Sequence, residues 1–462
     1  MSRSIHFYLF LVVLLFLSAC QPKDSLNPVG QYEVNEEFSG GSLTTFDFGE
    51  NAFGHSAPDL NFEQENAFVV GNSFFRSNWT TAPASASARD GLGPIFNSSS
   101  CGACHPKDGR SAPPSSFGEP LNGLLIRLSG ANGKPDPIYG GQLQDKAILG
   151  KKPEAKVGVR YLEISGTYTD GTKYSLRKPS YHFSEWAYGN IENGFLFSPR
   201  VGNQLAGVGL LEAIDESSIL ANADINDYDN DGISGKPNYV LDELRKNIVL
   251  GRFGWKSNQP NLLQQTAGAF NGDIGITSSV FMKDHTTSFQ TDLKDVPNGG
   301  EPEISDKNLN DVVFYLQTLS VPARREFRNL NVLKGKLLFC KIQCASCHIP
   351  SFKTGSFHDI ETLRNQTIRP YTDLLLHDMG EELADNRPDF EADGKEWRTT
   401  PLWGVGMIKT VNGHTFLLHD GRARNIEEAI LWHGGEAERS KQSFMDLSKV
   451  DRDNLFKFLE SL

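Results

Sequence analysis

The chain has 462 residues, of which 38% are hydrophobic and 22% charged, enough for two or three domains that each bury a core. A net charge of -12 gives no basic footprint, which speaks against nucleic acid as a partner and leaves a cationic partner compatible.

At the start of the chain, Arg3 precedes an apolar stretch, 7–17, of the length of a secretory signal core and too short to span a bilayer. The stretch ends in Leu17-Ser18-Ala19-Cys20, which resembles a bacterial lipobox. That likeness implies removal of residues 1–19 as a signal peptide and acylation of Cys20. The mature protein is then expected to be lipid-anchored to the bacterial cell envelope, at the outer membrane and facing the periplasm. No later segment is apolar enough to cross a membrane. Residues 20–60, rich in Gly, Ser, Asn and acidic residues, read as a lipidated tether.

Helical spacing begins with Phe68-x-x-Gly71-x-x-x-Phe75, ahead of Cys101-Gly102-Ala103-Cys104-His105. In C-x-x-C-H, one helical turn presents two sulfurs for thioether bonds to a haem, and the adjacent histidine ligates its iron. The arrangement recurs as Val332-x-x-Gly335-x-x-x-Phe339 ahead of Cys344-Ala345-Ser346-Cys347-His348. This composition yields roughly 0.002 such pentapeptides by chance, so two of them predict two covalently bound c-type haems. A zinc site would need further Cys or His close by. Cys340, four residues before the second motif, reads as a small buried hydrophobe.

Between the motifs lie a strand-like stretch, 157–161, and a hairpin of 166–169 with 172–176 around Asp170-Gly171. Next comes an EF-hand-like loop with Asp227, Asp229 and Asp231 at positions 1, 3 and 5, Gly232 at 6 and the Ile233 carbonyl at 7. Asn238 stands at position 12 in place of the usual glutamate, and the expected ligand is one structural calcium ion. Tyr315-Leu316-Gln317-Thr318-Leu319, stopped by Pro322, closes the first unit, and Phe458-Leu459-Glu460-Ser461-Leu462 closes the second. Leading helix, haem motif and closing helix, seen twice, predict two cytochrome c-like domains, 61–325 and 326–462. The expected fold is mainly α, with a long, irregular, partly β insertion in the first domain.

Each iron needs a second axial ligand or an open position. The candidates are His55, His182, His285, His358, His377, His414, His419, His433 and a few methionines. His433 is favoured for the second haem: it ends a helix that starts after Asn425, carries Glu427 and Glu428 in its first turn and stops at Gly434. Met379 and Met407 compete with it. Glu212, on an apolar, glycine-flanked segment, is the candidate acid–base group above the first haem. Trp255 is a candidate for assisting electron transfer between the haems.

Several segments together carry a family resemblance: Gly91-Leu92-Gly93-Pro94-Ile95-Phe96-Asn97, Gly209-Leu210-Leu211-Glu212-Ala213-Ile214, Gly251-Arg252-Phe253-Gly254-Trp255-Lys256, Leu376-His377-Asp378-Met379-Gly380, His419-Asp420-Gly421-Arg422-Ala423 and Trp432-His433-Gly434-Gly435-Glu436-Ala437. Over most of 60–462 the chain resembles the di-haem oxidoreductases, distant relatives of the di-haem cytochrome c peroxidases. In those peroxidases the helix after a segment like His419-Asp420-Gly421 supplies the sixth ligand of the C-terminal haem, which again points to His433. The resemblance implies a peroxidase-like enzyme whose second haem takes electrons from a small redox donor or cytochrome. The first haem would pass them to hydrogen peroxide or another small oxidant. Two other readings stay open: a non-enzymatic periplasmic electron-transfer cytochrome with both irons six-coordinate, and a redox component of envelope iron uptake with iron-uptake partners.

Overall fold

Two helix crossings frame the molecule, and both depend on a glycine. Asn61 caps the helix Phe62–Arg76 in a reciprocal capping box with Gln64. This helix meets Asp306–Gln317 so closely that a Cβ on Gly71 would lie 2.0 Å from the Asp311 carbonyl oxygen. The same contact recurs where Leu330–Lys341 meets Lys449–Ser461: a Cβ on Gly335 would lie 2.0 Å from the Asn454 carbonyl oxygen. One turn on, Phe75 sits between Tyr315 and His105, with ring centroids 5.5 and 6.3 Å away. Phe339 sits likewise between Phe458 and His348, at 5.2 and 6.2 Å. The sequence repeat is therefore a repeat of helix crossings, each of which seats one motif histidine.

The computed structural model describes residues 32–462. The signal segment, Cys20 and residues 21–31 lie outside these. Helix accounts for 29% and strand for 18%, so the expected mainly α protein is a mixed one with many small sheets. The difference arises in the long insertion, where the expected strand at 157–161 and hairpin around Asp170-Gly171 lengthen into two paired strands of 12 residues each. Its hairpin joins Lys156–Thr167 to Lys173–Ser184 in antiparallel register, Thr167 opposite Lys173, and Gly171 takes a φ of +84° in the turn. A three-stranded sheet places Leu124–Ser129 between Gln142–Leu143 and Leu196–Val201.

Hydrophobic packing runs across the expected boundary at 325/326. Leu210 and Val313 share a cluster with Ile360, Leu374 and Trp403, and Tyr168 and Leu176 of the hairpin pack with Val332, Phe339 and Phe458. The described part of the expected tether, 32–60, is also packed. Leu43 and Phe53 are fully buried, and Thr44–Thr45 pairs in parallel with Val321–Pro322. Glu36 is buried between Arg324 and Lys336, at 2.7 Å from each. A buried carboxylate with two cationic partners fixes this segment to the body, so the tether reading is corrected for these residues. Cys340 is half-buried, less enclosed than expected. Among the described residues no helix is long and apolar enough to cross a membrane.

Candidate functional site

Both C-x-x-C-H motifs open onto cavities. Cys101–Cys104 forms one helical turn closed by the bond from His105 N–H to the Cys101 carbonyl, and His348 N–H closes on Cys344 in the same way. Cys101, Cys104 and His105 line a cavity of about 540 Å³, and Cys344, Cys347 and His348 line one of about 220 Å³. Burial pushes the thiols up, Cys104 to about 11 and Cys344 to about 12, away from the lowered range of a reactive redox cysteine. Among the described residues no Cys/His set converges on a metal position. Paired neutral sulfurs beside a cavity, next to an imidazole, suit thioether attachment of a haem.

The histidines supply the decisive geometry. Nδ1 of His105 lies 2.7 Å from the Asn203 carbonyl oxygen, and Nδ1 of His348 lies 2.9 Å from that of Tyr371. A carbonyl only accepts, so each Nδ1 carries the hydrogen and each Nε2 keeps the lone pair that a metal requires. His433 repeats the pattern: its Nδ1 donates to the Ala429 carbonyl at 2.6 Å, and the residue lines the second cavity. It caps the helix Ile426–Trp432, which Asn425 starts through its bond from Glu428 N–H. Burial holds all three imidazoles toward neutrality, and nearby His433 helps lower His348 to about 4. The structure thus brings His433 and His348 to one cavity.

A comparison with protein-family models matches residues 33–128 and 135–462 to the family described as "Di-haem oxidoreductase, putative peroxidase". The chain belongs to the di-haem oxidoreductase family. No curated protein and no solved structure matches it.

Most other candidate ligands of this di-haem oxidoreductase are committed elsewhere. Asp373 binds His377 Nε2 at 2.8 Å and Glu436 binds its Nδ1 at 2.6 Å. Burial opposes a charge on this ring, but Asp373 outweighs it, and His377 is held protonated. Met407 is buried with its sulfur against Arg325, whereas Met379 lines the second cavity. His55 pairs with Asp47, His414 with the Arg110 carbonyl, and His182 rests on Phe117. His419 turns Nδ1 to the Pro199 carbonyl and stacks on Trp397 at 3.9 Å, with Nε2 unpartnered on the second cavity.

His285, left unassigned by the sequence, lines the first cavity, and neither of its buried ring nitrogens has a hydrogen-bond partner. The Asn271 backbone is near its ring without meeting hydrogen-bond geometry. No local pattern surrounds His285, so only the fold could single it out.

Trp255 lines both cavities, with Nε1 donating to the Val201 carbonyl at 2.9 Å and the Arg110 guanidinium 5.1 Å above its ring. The next residue, Lys256, is fully buried and ties Asp385 to the Arg387 and Asp393 carbonyls, which sets the wall beside Trp255.

Glu212 is corrected: its carboxylate does not line the first cavity. It accepts from Leu262 N–H at 2.7 Å and Gln317 Nε2 at 2.6 Å, with His358 at 3.4 Å. Burial raises its pKa, but these partners outweigh it and hold the group ionised, so Glu212 braces the start of the helix Leu262–Ala269.

In the acidic loop, Asp227, Asp229 and Asp231 accept from the backbone N–H groups of Gly232, Asp231 and Ile233. Asp224, Asp227 and Asp229 bring carboxylate oxygens within 4.8 Å of one another. Asn238 is corrected as a ligand. It is buried, donates to the Lys256 and Asp389 carbonyls and accepts from Glu391 N–H, because the chain runs into a strand at Tyr239 and not into an EF helix.

Proposed function

We propose that this di-haem oxidoreductase reduces hydrogen peroxide or another small oxidant at the first cavity, with electrons entering at the second. What supports this is the inequality of the cavities. The second is small and apolar and has two carbonyl-oriented histidines, His348 and His433, that would hold a haem iron. The first is more than twice as large, has polar groups such as Gln142, Gln144 and Asp273 on its wall, and has one carbonyl-oriented histidine. When bound, a haem c at each motif supplies a redox-active iron. With His348 and His433 both available to an iron, the second site would store an electron, and the larger first cavity would leave room for a small oxidant. Trp255, on both cavity walls, is the proposed bridge. Reducing peroxide to water takes two electrons and two protons, and His285 replaces Glu212 as the proposed proton-handling group on the first cavity.

Rapid mixing of the fully reduced protein with hydrogen peroxide tests this. We expect both haems to be oxidised, His285→Ala to slow the reaction by about a hundredfold, and Glu212→Gln to lower stability with little change in rate. A reduced protein indifferent to peroxide contradicts the reading. It would favour the electron-carrier alternative, in which His285 is the second ligand of the first iron.

Two further readings belong to the proposal. A calcium ion at 227–233, with Asp224 in place of Asn238, is supported by the three convergent carboxylates. Chelation should then lower the unfolding temperature of the native protein but not of Asp227→Ala/Asp229→Ala, and an unchanged temperature contradicts it. Export with acylation at Cys20 predicts a lipid-modified N-terminal Cys20 by mass spectrometry, and an unmodified terminus elsewhere contradicts it.

A further inference from the structure

Three arginines on the cavity walls lack a carboxylate partner. Arg398 is buried, donates through Nε to the Gly254 carbonyl at 2.9 Å and through one terminal nitrogen to the Thr399 carbonyl at 3.3 Å, and lines both cavities. Arg110 is buried and donates to the Phe416 and Leu418 carbonyls and to Asn203 Oδ1, on the second cavity. Arg127 donates to Gln142 Oε1 at 3.0 Å, has a buried Nε with no partner, and lines the first cavity.

None of the three has a carboxylate oxygen within ion-pair distance among the described residues. The acids nearest them are already engaged. Asp373, the attractor of Arg398, binds His377, and Asp420, the attractor of Arg110, binds Arg422. Beside Arg127, Asp389 serves both Arg200 and Arg387, and burial pushes Asp273 up toward its neutral form. Burial lowers the pKa of each guanidinium, Arg110 to about 9 and Arg398 to about 10. Buried charge of one sign without an opposite charge is costly, and a bound anion would offset that cost. Neutral carbonyls orient these groups without cancelling their charge.

We infer that Arg127, Arg110 and Arg398 are the seats of carboxylates carried by the bound groups: Arg127 at the first cavity, Arg110 at the second and Arg398 between the two. On the haem reading, on which this inference rests, those carboxylates are the propionates. Arg398 and Trp255 stand on the walls of both cavities. Each arginine favours the reduced, less positive state of its own haem.

The test is a spectroscopic redox titration of the holoprotein carrying Arg127→Gln, Arg110→Gln or Arg398→Gln, with haem content measured on the same samples. Arg127→Gln should shift the one-electron equilibrium of the first haem about tenfold toward the oxidised form, about 59 mV, and leave the second in place. Arg110→Gln should do the reverse, Arg398→Gln should shift both, and Arg398→Lys should restore both. The propionate bending bands in resonance Raman spectra should move with the same pattern. Two haems present with unchanged potentials and bands overturn the inference and leave the haem reading standing; loss of covalent haem from the unsubstituted protein would instead sink that reading. If Arg398→Gln does not fold, the opposite responses of Arg127→Gln and Arg110→Gln decide alone, and equal responses of both haems to either variant also overturn it.

Discussion

Replacing Cys101 and Cys104 together by alanine is expected to leave one covalent haem per chain, and so is replacing Cys344 with Cys347. Thioether bonds survive denaturing electrophoresis, so haem staining and the mass of the denatured chain read the result directly. Each pair lies on one turn beside a histidine whose Nδ1 a backbone carbonyl holds. The losses should be unequal in consequence. The first pair faces the larger cavity and the second pair the smaller, so the two variants should retain different spectra, one of a closed iron and one of an accessible iron. Retention of both haems in either double variant would refute the attachment sites.

His433→Ala is expected to convert the second haem from low-spin to high-spin with both thioethers intact. The His433 ring is set by its own helix, through the Ala429 carbonyl one turn back. Removing a strong-field imidazole leaves water or nothing in that position, and the change should be nearly complete and reversed in part by added imidazole. An unchanged low-spin spectrum would pass the role to His419 or Met379, which also line this cavity.

What the sequence made legible was local. The C-x-x-C-H turns, the Asn425-capped helix ending at His433, the Asp170-Gly171 hairpin and the Gly71 and Gly335 repeats are each written within a few residues. What it hid was set by partners far along the chain. Glu212 sits on the apolar segment expected of it, but whether its carboxylate meets a cavity or the N-terminus of the helix at Leu262 depends on a contact 50 residues away. Asn238 fitted a twelve-residue template that assumes a following helix, and the chain forms a strand there. Composition made 32–60 read as a tether, because single buried residues such as Glu36, Leu43 and Phe53 give no periodicity. Trp255 was a candidate, but its place on both cavity walls, like that of Arg398, comes from the packing of the two halves.

The central claim is that one chain holds two haems of unequal character, one closed by His348 and His433 and one open to small ligands. Electron paramagnetic resonance of the oxidised holoprotein, before and after saturating cyanide, tests it most directly. We predict one low-spin species that cyanide does not alter and a second, at least partly high-spin, that cyanide converts to low-spin. Two low-spin signals indifferent to cyanide, in the oxidised protein and again after a reduction cycle, would contradict the account.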